Sequence, residues 1–217
     1  MPHREKAYNR GEEIANSITH GMGALLSIAG LVVLIVLASV RGDAWRVVGV
    51  SIFGASLTLL YTVSTLYHAF PWPRVKNVFR KLDHAAIYFL IAGTYTPFVL
   101  VNLRGPWGWT LFGLAWGLAT LGILFEVLLQ RPPKWLSLGF YLGLSWLVAI
   151  AAKPLYQSLP MDALIYLGLG GFAYTFGTVF YAWKKLPYHH AVWHGFVLAG
   201  SIMHFFSVYF AVIPRLG

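Results

Sequence analysis

The chain is a succession of long apolar stretches separated by short polar or proline-containing connections. Seven stretches approach or exceed the length of about 20 mostly apolar residues that crosses a bilayer as a helix. They lie at residues 18–40, 45–70, 83–103, 107–129, 135–152, 162–183 and 190–213, the fifth being the shortest. This pattern predicts an all-α fold, a bundle of seven transmembrane helices. We expect one integral membrane domain over residues 1–217, with residues 1–17 as a polar N-terminal segment.

The composition agrees with a membrane protein. Of the 217 residues, 58% are hydrophobic and 11% are charged, whereas a soluble domain is about 25% charged. We therefore expect a multi-pass protein of the cell membrane, whose partner is the lipid bilayer and not nucleic acid. The chain has no cysteine, which excludes disulfides and thiolate metal ligands.

The basic residues predict the orientation of the bundle. If the N-terminus is cytoplasmic, that side holds Arg4, Lys6, Arg10, Arg74, Lys76, Arg80, Lys81, Arg131, Lys134, Lys184 and Lys185. The opposite side then holds Arg41, Arg46, Arg104, Lys153 and Arg215. Because cytoplasmic loops are enriched in Lys and Arg, the N-terminus is expected inside and the C-terminus outside.

Most of the polar residues that remain in or beside the apolar stretches gather at one depth. A polar or ionisable group left unpaired in hydrocarbon costs several kcal/mol, so each one calls for a partner or a function. On the predicted topology the residues at the cytoplasmic ends of the helices are Glu13, Asn16, His20, His68, Asp83, His84, Glu126, His190 and His194.

The spacing of three histidines indicates a metal site. His190 and His194 are four residues apart, so both imidazoles project from one helix face. Ser64 and His68 share that spacing on the second helix. Three neutral imidazoles with an open fourth position are typical of catalytic zinc. We predict His68, His190 and His194 as ligands of one Zn²⁺, although imidazole also suits other divalent metals.

A haem bound by histidines of opposing helices is the competing interpretation, with His20, His68 or His204 as candidates. His204 lies ten residues beyond His194, about 15 Å along a helix axis, so it is expected to be a packed, hydrogen-bonded core residue. His3 and His189 are expected in solvated loops.

Other residues have two interpretations or an architectural one. Glu13, Asn16 and His20 form one helical stripe, which either complements the first helix dipole or covers the metal. Together with His84 and Glu126 they are the candidates to surround the ligands. Pro97 is predicted to kink the third helix, because it removes a backbone hydrogen bond.

Four segments, EEIANSITHG, STLYH, KLDHAAIYFLIAGTYTPF and HAVWHGFVLAGSIMHFF, together resemble the hemolysin III family. That family belongs with the progestin and adipoQ receptors, including the adiponectin receptors. The resemblance, which is to bacterial members, covers essentially the whole chain and implies a location in the bacterial inner membrane. It implies seven helices with a cytoplasmic N-terminus and a zinc ion held by His68, His190 and His194. It further implies that Asp83 acts through the water at the metal and that Ser64 is the serine of the SxxxH motif. His84 departs from the adiponectin receptors, which have another residue type there.

The leading functional hypothesis is a zinc-dependent intramembrane hydrolase of a lipid amide or ester, as in the alkaline ceramidases of the wider superfamily. Asp83 would be the general base and Ser64 a hydrogen-bond donor. One alternative is a non-catalytic receptor or regulator in which zinc clamps the second and seventh helices; another is a haemolysis-associated membrane protein. A transporter or channel is disfavoured because the polar groups share one depth and form no chain across the bilayer.

Overall fold

The computed structural model describes residues 8–129 and 132–214, which contain helices and no strand. The elements are α1 (Arg10–Arg41), α2 (Ala44–Ala69), α3 (Pro73–Pro97) with a π-helical turn (Phe98–Asn102), α4 (Pro106–Leu128), α5 (Lys134–Trp146) with a 3-10 segment (Leu147–Ala151), α6 (Ala152–Ser158), α7 (Met161–Ala182) and α8 (His189–Val212). Seven segments are long and apolar enough to span a membrane, α5 to α6 together forming the fifth. The predicted seven-helix membrane fold is confirmed. His3, Arg4, Lys6, Arg131 and Arg215 lie outside the described residues.

Two helices begin earlier than the apolar pattern predicted. The Asn9 side chain accepts a hydrogen bond from Glu12 N, and the Glu12 carboxylate accepts one from Asn9 N, both at 2.9 Å. This capping box starts α1 at Arg10. Likewise α3 begins at Pro73. Proline has no backbone N–H and therefore suits the first turn of a helix, where an N–H would lack a partner within the helix. Both helices therefore extend beyond the apolar stretches that start at 18 and 83, because hydropathy does not register polar helical turns.

Two irregularities occur further along. After Pro97, where a kink was predicted, the chain continues as a π-helical turn closed by Leu103 N donating to Phe98 O at 2.9 Å. A π-helical turn accommodates the lost hydrogen bond within the helix. In the fifth span the Tyr95 hydroxyl lies 2.9 Å from the Leu144 carbonyl and accepts a 2.7 Å hydrogen bond from Val148 N. Tyr95 thereby holds the 3-10 interruption against α3.

The bundle core lies between α1, α2, α3 and α8, where Leu34, Phe53, Tyr61 and Val208 are almost fully buried. The most extensive helix contacts are those of α1 with α2, α7 with α8, and α2 with α3. By contrast α5 packs only lightly on its neighbours. Large apolar side chains such as Leu25, 72% exposed, point outward. An exterior of this kind faces lipid in a membrane-spanning bundle.

One end of the bundle carries all of the predicted site residues, and we call it the site end. It is formed by the N-termini of α1, α3, α5 and α8 and by the C-termini of α2, α4 and α7. Lys81 Nζ donates to Val127 O there at 2.8 Å. At the other end Arg46 Nε donates to Val212 O at 2.9 Å. Which end faces the cytoplasm stays a prediction from the basic residues.

Candidate metal centre

Three buried histidines from two helices meet at the site end. His68 comes from the last turn of α2, and His190 and His194 come from the first turns of α8. Their ligand atoms all lie within 4.8 Å of one another. The ring centroids of His190 and His194 are 4.5 Å apart, as the four-residue spacing requires. The three predicted ligands are therefore brought together in a group that could hold a metal ion.

The free nitrogens of the group fit a metal. His68 Nε2 and both ring nitrogens of His190 are buried without a hydrogen-bond partner among the described residues. Buried polar atoms normally have a hydrogen-bond partner, so unpartnered ring nitrogens that face one another are suited to bind a metal ion. His68 Nδ1 lies 2.6 Å from Glu13 Oε2, and His194 Nδ1 lies 3.3 Å from Asn16 O. With Nδ1 donating to these oxygens, Nε2 of each ring keeps its lone pair for a metal.

The first turns of α1 form one wall of the centre. Besides the Glu13 contact, Asn16 Nδ2 is 3.4 Å from His68 Nδ1. The His20 ring stacks on His194 with centroids 3.4 Å apart. All three residues of the stripe therefore contact one of the predicted ligands. The haem alternative, with His20, His68 or His204 as ligands, stays a prediction.

Three contacts at the centre were missed from the sequence. Thr19 Oγ1 lies 3.3 Å from His194 Nδ1. Tyr8 stacks on His190 with centroids 4.9 Å apart, and burial raises the pKa of its hydroxyl. Tyr188 takes a left-handed backbone conformation, with φ of 55°, directly before α8, and its N–H donates to Glu12 Oε1 at 3.3 Å. Thr19 could have been found from its place inside the polar stripe; Tyr8 and Tyr188 give no periodic signal.

Asp83 and Ser64 are two of the polar residues that line a large cavity. The cavity measures about 770 Å³ and runs between α3, α5, α7 and α8, with a mostly apolar lining. His190, His194, Asp83 and Ser64 all line it. Asp83 and Ser64 are both buried, and the Ser64 hydroxyl lies next to the Asp83 carboxylate without a hydrogen bond of ordinary geometry. An acyl chain fits a cavity of this volume and character.

His84 and Glu126 form a separate pair and make no described contact with the three histidines. His84 Nδ1 lies 3.5 Å from Glu126 Oε2. Glu126 Oε1 accepts hydrogen bonds from Ser137 Oγ at 2.5 Å and from the Tyr141 hydroxyl at 3.4 Å. The pair therefore ties α3 to α4 and α5 next to Asp83, so the prediction that it surrounds the metal ligands gains no support from these contacts.

The expectation about His189 was wrong, and that about His204 was right in part. His189 is not in a solvated loop: it is the first residue of α8, buried, with Nδ1 3.2 Å from Phe180 O. The left-handed Tyr188 starts the helix early enough to bury it. His204 is a packed core residue as expected, but neither ring nitrogen makes an ordinary hydrogen bond. The Leu167 carbonyl lies beside its ring, which packs into the notch at Gly170.

Comparison with known proteins identifies the family. A family model described as "Haemolysin-III related" matches residues 8–205. The chain belongs to the haemolysin-III family. The match includes the whole candidate metal centre, from Tyr8 to His194.

Relatives of this haemolysin-III family chain extend from bacteria to mammals. It is 50% identical over 203 residues to Hemolysin-3 of Bacillus cereus, covering 94% of this chain and 93% of that protein. It is 51% identical over 199 residues to a Hemolysin-3 homolog of Bacillus subtilis (strain 168), covering 92% and 93%. The human Monocyte to macrophage differentiation factor is 29% identical over 220 residues, with 96% and 90% covered. These comparisons confirm the family resemblance and a multi-pass membrane protein.

Proposed function

We propose that this haemolysin-III protein is a zinc-dependent intramembrane hydrolase of a lipid amide or ester. The observation that carries the proposal is the position of the histidine group. Three imidazoles converge, those of His68 and His190 with unpartnered ring nitrogens, and an acyl-sized apolar cavity beside them also presents a carboxylate and a hydroxyl. Lipid would enter from the bilayer, with its acyl chain in the cavity and its polar bond at the histidines.

The donor set fits zinc, because three neutral imidazoles are a common ligand set of catalytic zinc sites. His68, His190 and His194 would hold the ion as neutral nitrogen donors, and two of them, His190 and His194, also line the cavity. Bound there, zinc supplies a Lewis acid that polarises a carbonyl and makes water more acidic. The chain contributes the orientation of the donors: Glu13 holds the His68 ring through Nδ1, and the Asn16 carbonyl and Thr19 hydroxyl hold that of His194.

Asp83 is the residue placed to move a proton. Its carboxylate is buried, lines the cavity and can accept the proton of an attacking water. The neighbouring Ser64 Oγ can donate a hydrogen bond to that carboxylate or to the oxyanion that develops on the substrate carbonyl. The apolar lining limits competing water, which strengthens these electrostatic interactions.

The test is lipid turnover by the purified protein in nanodiscs. Ceramides and acyl phospholipids are incubated with zinc-loaded wild type, with chelator-treated wild type and with Asp83→Asn, and released fatty acid is measured by mass spectrometry. The proposal predicts zinc-dependent release that Asp83→Asn loses while retaining its zinc. Release from none of these lipids, or equal release by Asp83→Asn, would contradict it.

A structural role for zinc is the second candidate, since α2 and α8 share little direct contact although they supply all three donors. In that case zinc would clamp the two helices of a receptor or regulator. His190→Ala would then lower the unfolding temperature strongly, and Asp83→Asn would leave the biological function intact. If the enzyme proposal holds, Asp83→Asn abolishes function in a stably folded protein.

A further inference from the structure

His84 and Glu126 form a histidine–carboxylate pair on the cavity wall, outside the metal centre. Glu126 is almost fully enclosed, with a side chain 1% exposed, whereas the His84 side chain is 22% exposed. His84 directly follows Asp83 in the sequence, and both residues line the cavity. Because Nδ1 faces Glu126, the other ring nitrogen, Nε2, is the one available to a molecule in the cavity.

The carboxylate behind His84 is itself held in place. Ser137 Oγ and the Tyr141 hydroxyl both donate to Glu126 Oε1, which leaves Oε2 for His84 Nδ1. The Tyr141 hydroxyl also lies 3.2 Å from the His84 carbonyl, so α5 contacts both members of the pair. A buried carboxylate that fixes one imidazole nitrogen and stabilises the imidazolium is an arrangement suited to proton transfer by the other nitrogen.

We propose that His84 donates the proton to the leaving group of the hydrolysed lipid and that Glu126 is its positioning residue. This inference rests on the proposed hydrolase function and extends it, because it assigns the second proton transfer to a residue other than Asp83. The substrate class that follows is one with a poor leaving group, an amide nitrogen or an alkyl oxygen, which must be protonated as it departs.

Hydrolysis of the lipid requires two proton transfers. The water oxygen forms a bond to the carbonyl carbon while Asp83 accepts a water proton. The bond from that carbon to the leaving nitrogen or oxygen breaks, its electron pair stays on the leaving atom, and His84 Nε2 gives that atom a proton. Proton exchange with water then restores Asp83 and His84, and the products are a fatty acid and an amine or alcohol.

The test changes the leaving group and keeps the acyl chain. Hydrolysis of an amide or alkyl ester that the wild type accepts is compared with hydrolysis of the p-nitrophenyl ester of the same acid, whose leaving group departs without a proton. His84→Gln should lose about 100-fold or more on the first substrate, the scale of general acid catalysis, and less than about threefold on the second. Zinc content, measured by mass spectrometry, should equal that of wild type.

Two further variants sharpen the result. Glu126→Gln retains an oxygen for Ser137 and Tyr141 but removes the charge behind Nδ1, and should show the same selective loss to a smaller degree. The control His204→Gln changes another histidine that lines the cavity and should leave the ratio of the two activities unchanged. Equal losses of His84→Gln on both substrates, or a loss on neither, would overturn the inference. A wild type that hydrolyses neither substrate would instead overturn the proposed function.

Discussion

Glu13 Oε2 lies 2.6 Å from His68 Nδ1, and the other oxygen of the same carboxylate lies 2.8 Å from Lys76 Nζ. One side chain of α1 thereby joins the last turn of α2 to the first turn of α3. The contact orients a candidate metal ligand and also fixes the register of three helix ends. Affinity for the metal should therefore depend on a residue that does not itself bind it.

Glu13→Gln should weaken zinc binding by about 10- to 100-fold, the usual effect of removing the oxygen partner of a ligand histidine. Competition with a chromophoric chelator measures the affinity. Glu12→Gln is the matched control, because it removes the same charge one residue away, where the carboxylate caps α1 and contacts Tyr188 N. Equal affinities for Glu13→Gln and wild type would show that the contact does not support the metal.

Tyr8 should control the exchange of the metal. Its ring stacks on His190 and lies 5.9 Å, between centroids, from both His68 and His189. Tyr8→Ala should speed the release of zinc to an excess of chelator, because it uncovers the histidines, whereas Tyr8→Phe should retain the wild-type rate because the stacked ring remains. If Tyr8→Phe released zinc as fast as Tyr8→Ala, the hydroxyl and not the ring would be responsible.

Packing of α1 on α2 should depend on Gly23 and not on Gly21, two residues earlier in α1. A Cβ at Gly23 would lie 2.5 Å from the Tyr61 ring, whereas one at Gly21 would meet Thr65 at 3.7 Å, an ordinary contact. Gly23→Ala should destabilise the protein by about 1–3 kcal/mol through overpacking, and Gly21→Ala should be neutral or slightly stabilising. Thermal unfolding in detergent, followed by tryptophan fluorescence, compares them. Similar unfolding temperatures for the two variants would contradict this packing.

Lys184 should be an unusually reactive amine. Although Lys184 is exposed, partial desolvation by its neighbours and the nearby charge of Lys134 lower its pKa to about 8. Its neutral fraction should therefore rise between pH 7 and 9, and acetic anhydride labelling followed by peptide mass spectrometry should report that rise. Lys134→Gln removes the second cause and should move the labelling curve of Lys184 to higher pH. A curve unchanged by Lys134→Gln would exclude the charge effect.

Much of this fold was predictable because the helices are amphipathic only weakly and apolar over most of their length. The seven spans follow directly from these apolar stretches, and the family motifs are visible in the sequence itself. The starts at Arg10 and Pro73 did not, since the capping box of Asn9 and Glu12 and the polar turns of α3 carry no hydropathy signal. The 3-10 interruption of the fifth span depends on Tyr95, a residue of another helix.

In the candidate site, too, some features were predictable from the sequence and others depend on how the helices pack. The grouping of His190 and His194 follows from helix geometry alone, and His68 was placed by its depth. The pairing of His84 with Glu126 instead requires the relative rotation of α3 and α4, which no local pattern encodes. The burial of His189 likewise follows from a single left-handed residue, Tyr188.

The central claim is that His68, His190 and His194 bind one zinc ion. Zinc K-edge X-ray absorption of the purified, zinc-loaded protein tests it most directly. We expect one zinc per chain with three imidazole nitrogens at about 2.0–2.1 Å and one oxygen, and a loss of bound zinc in His190→Ala that His204→Ala does not share. Zinc surrounded by oxygen alone, or bound equally by His190→Ala, would contradict the account.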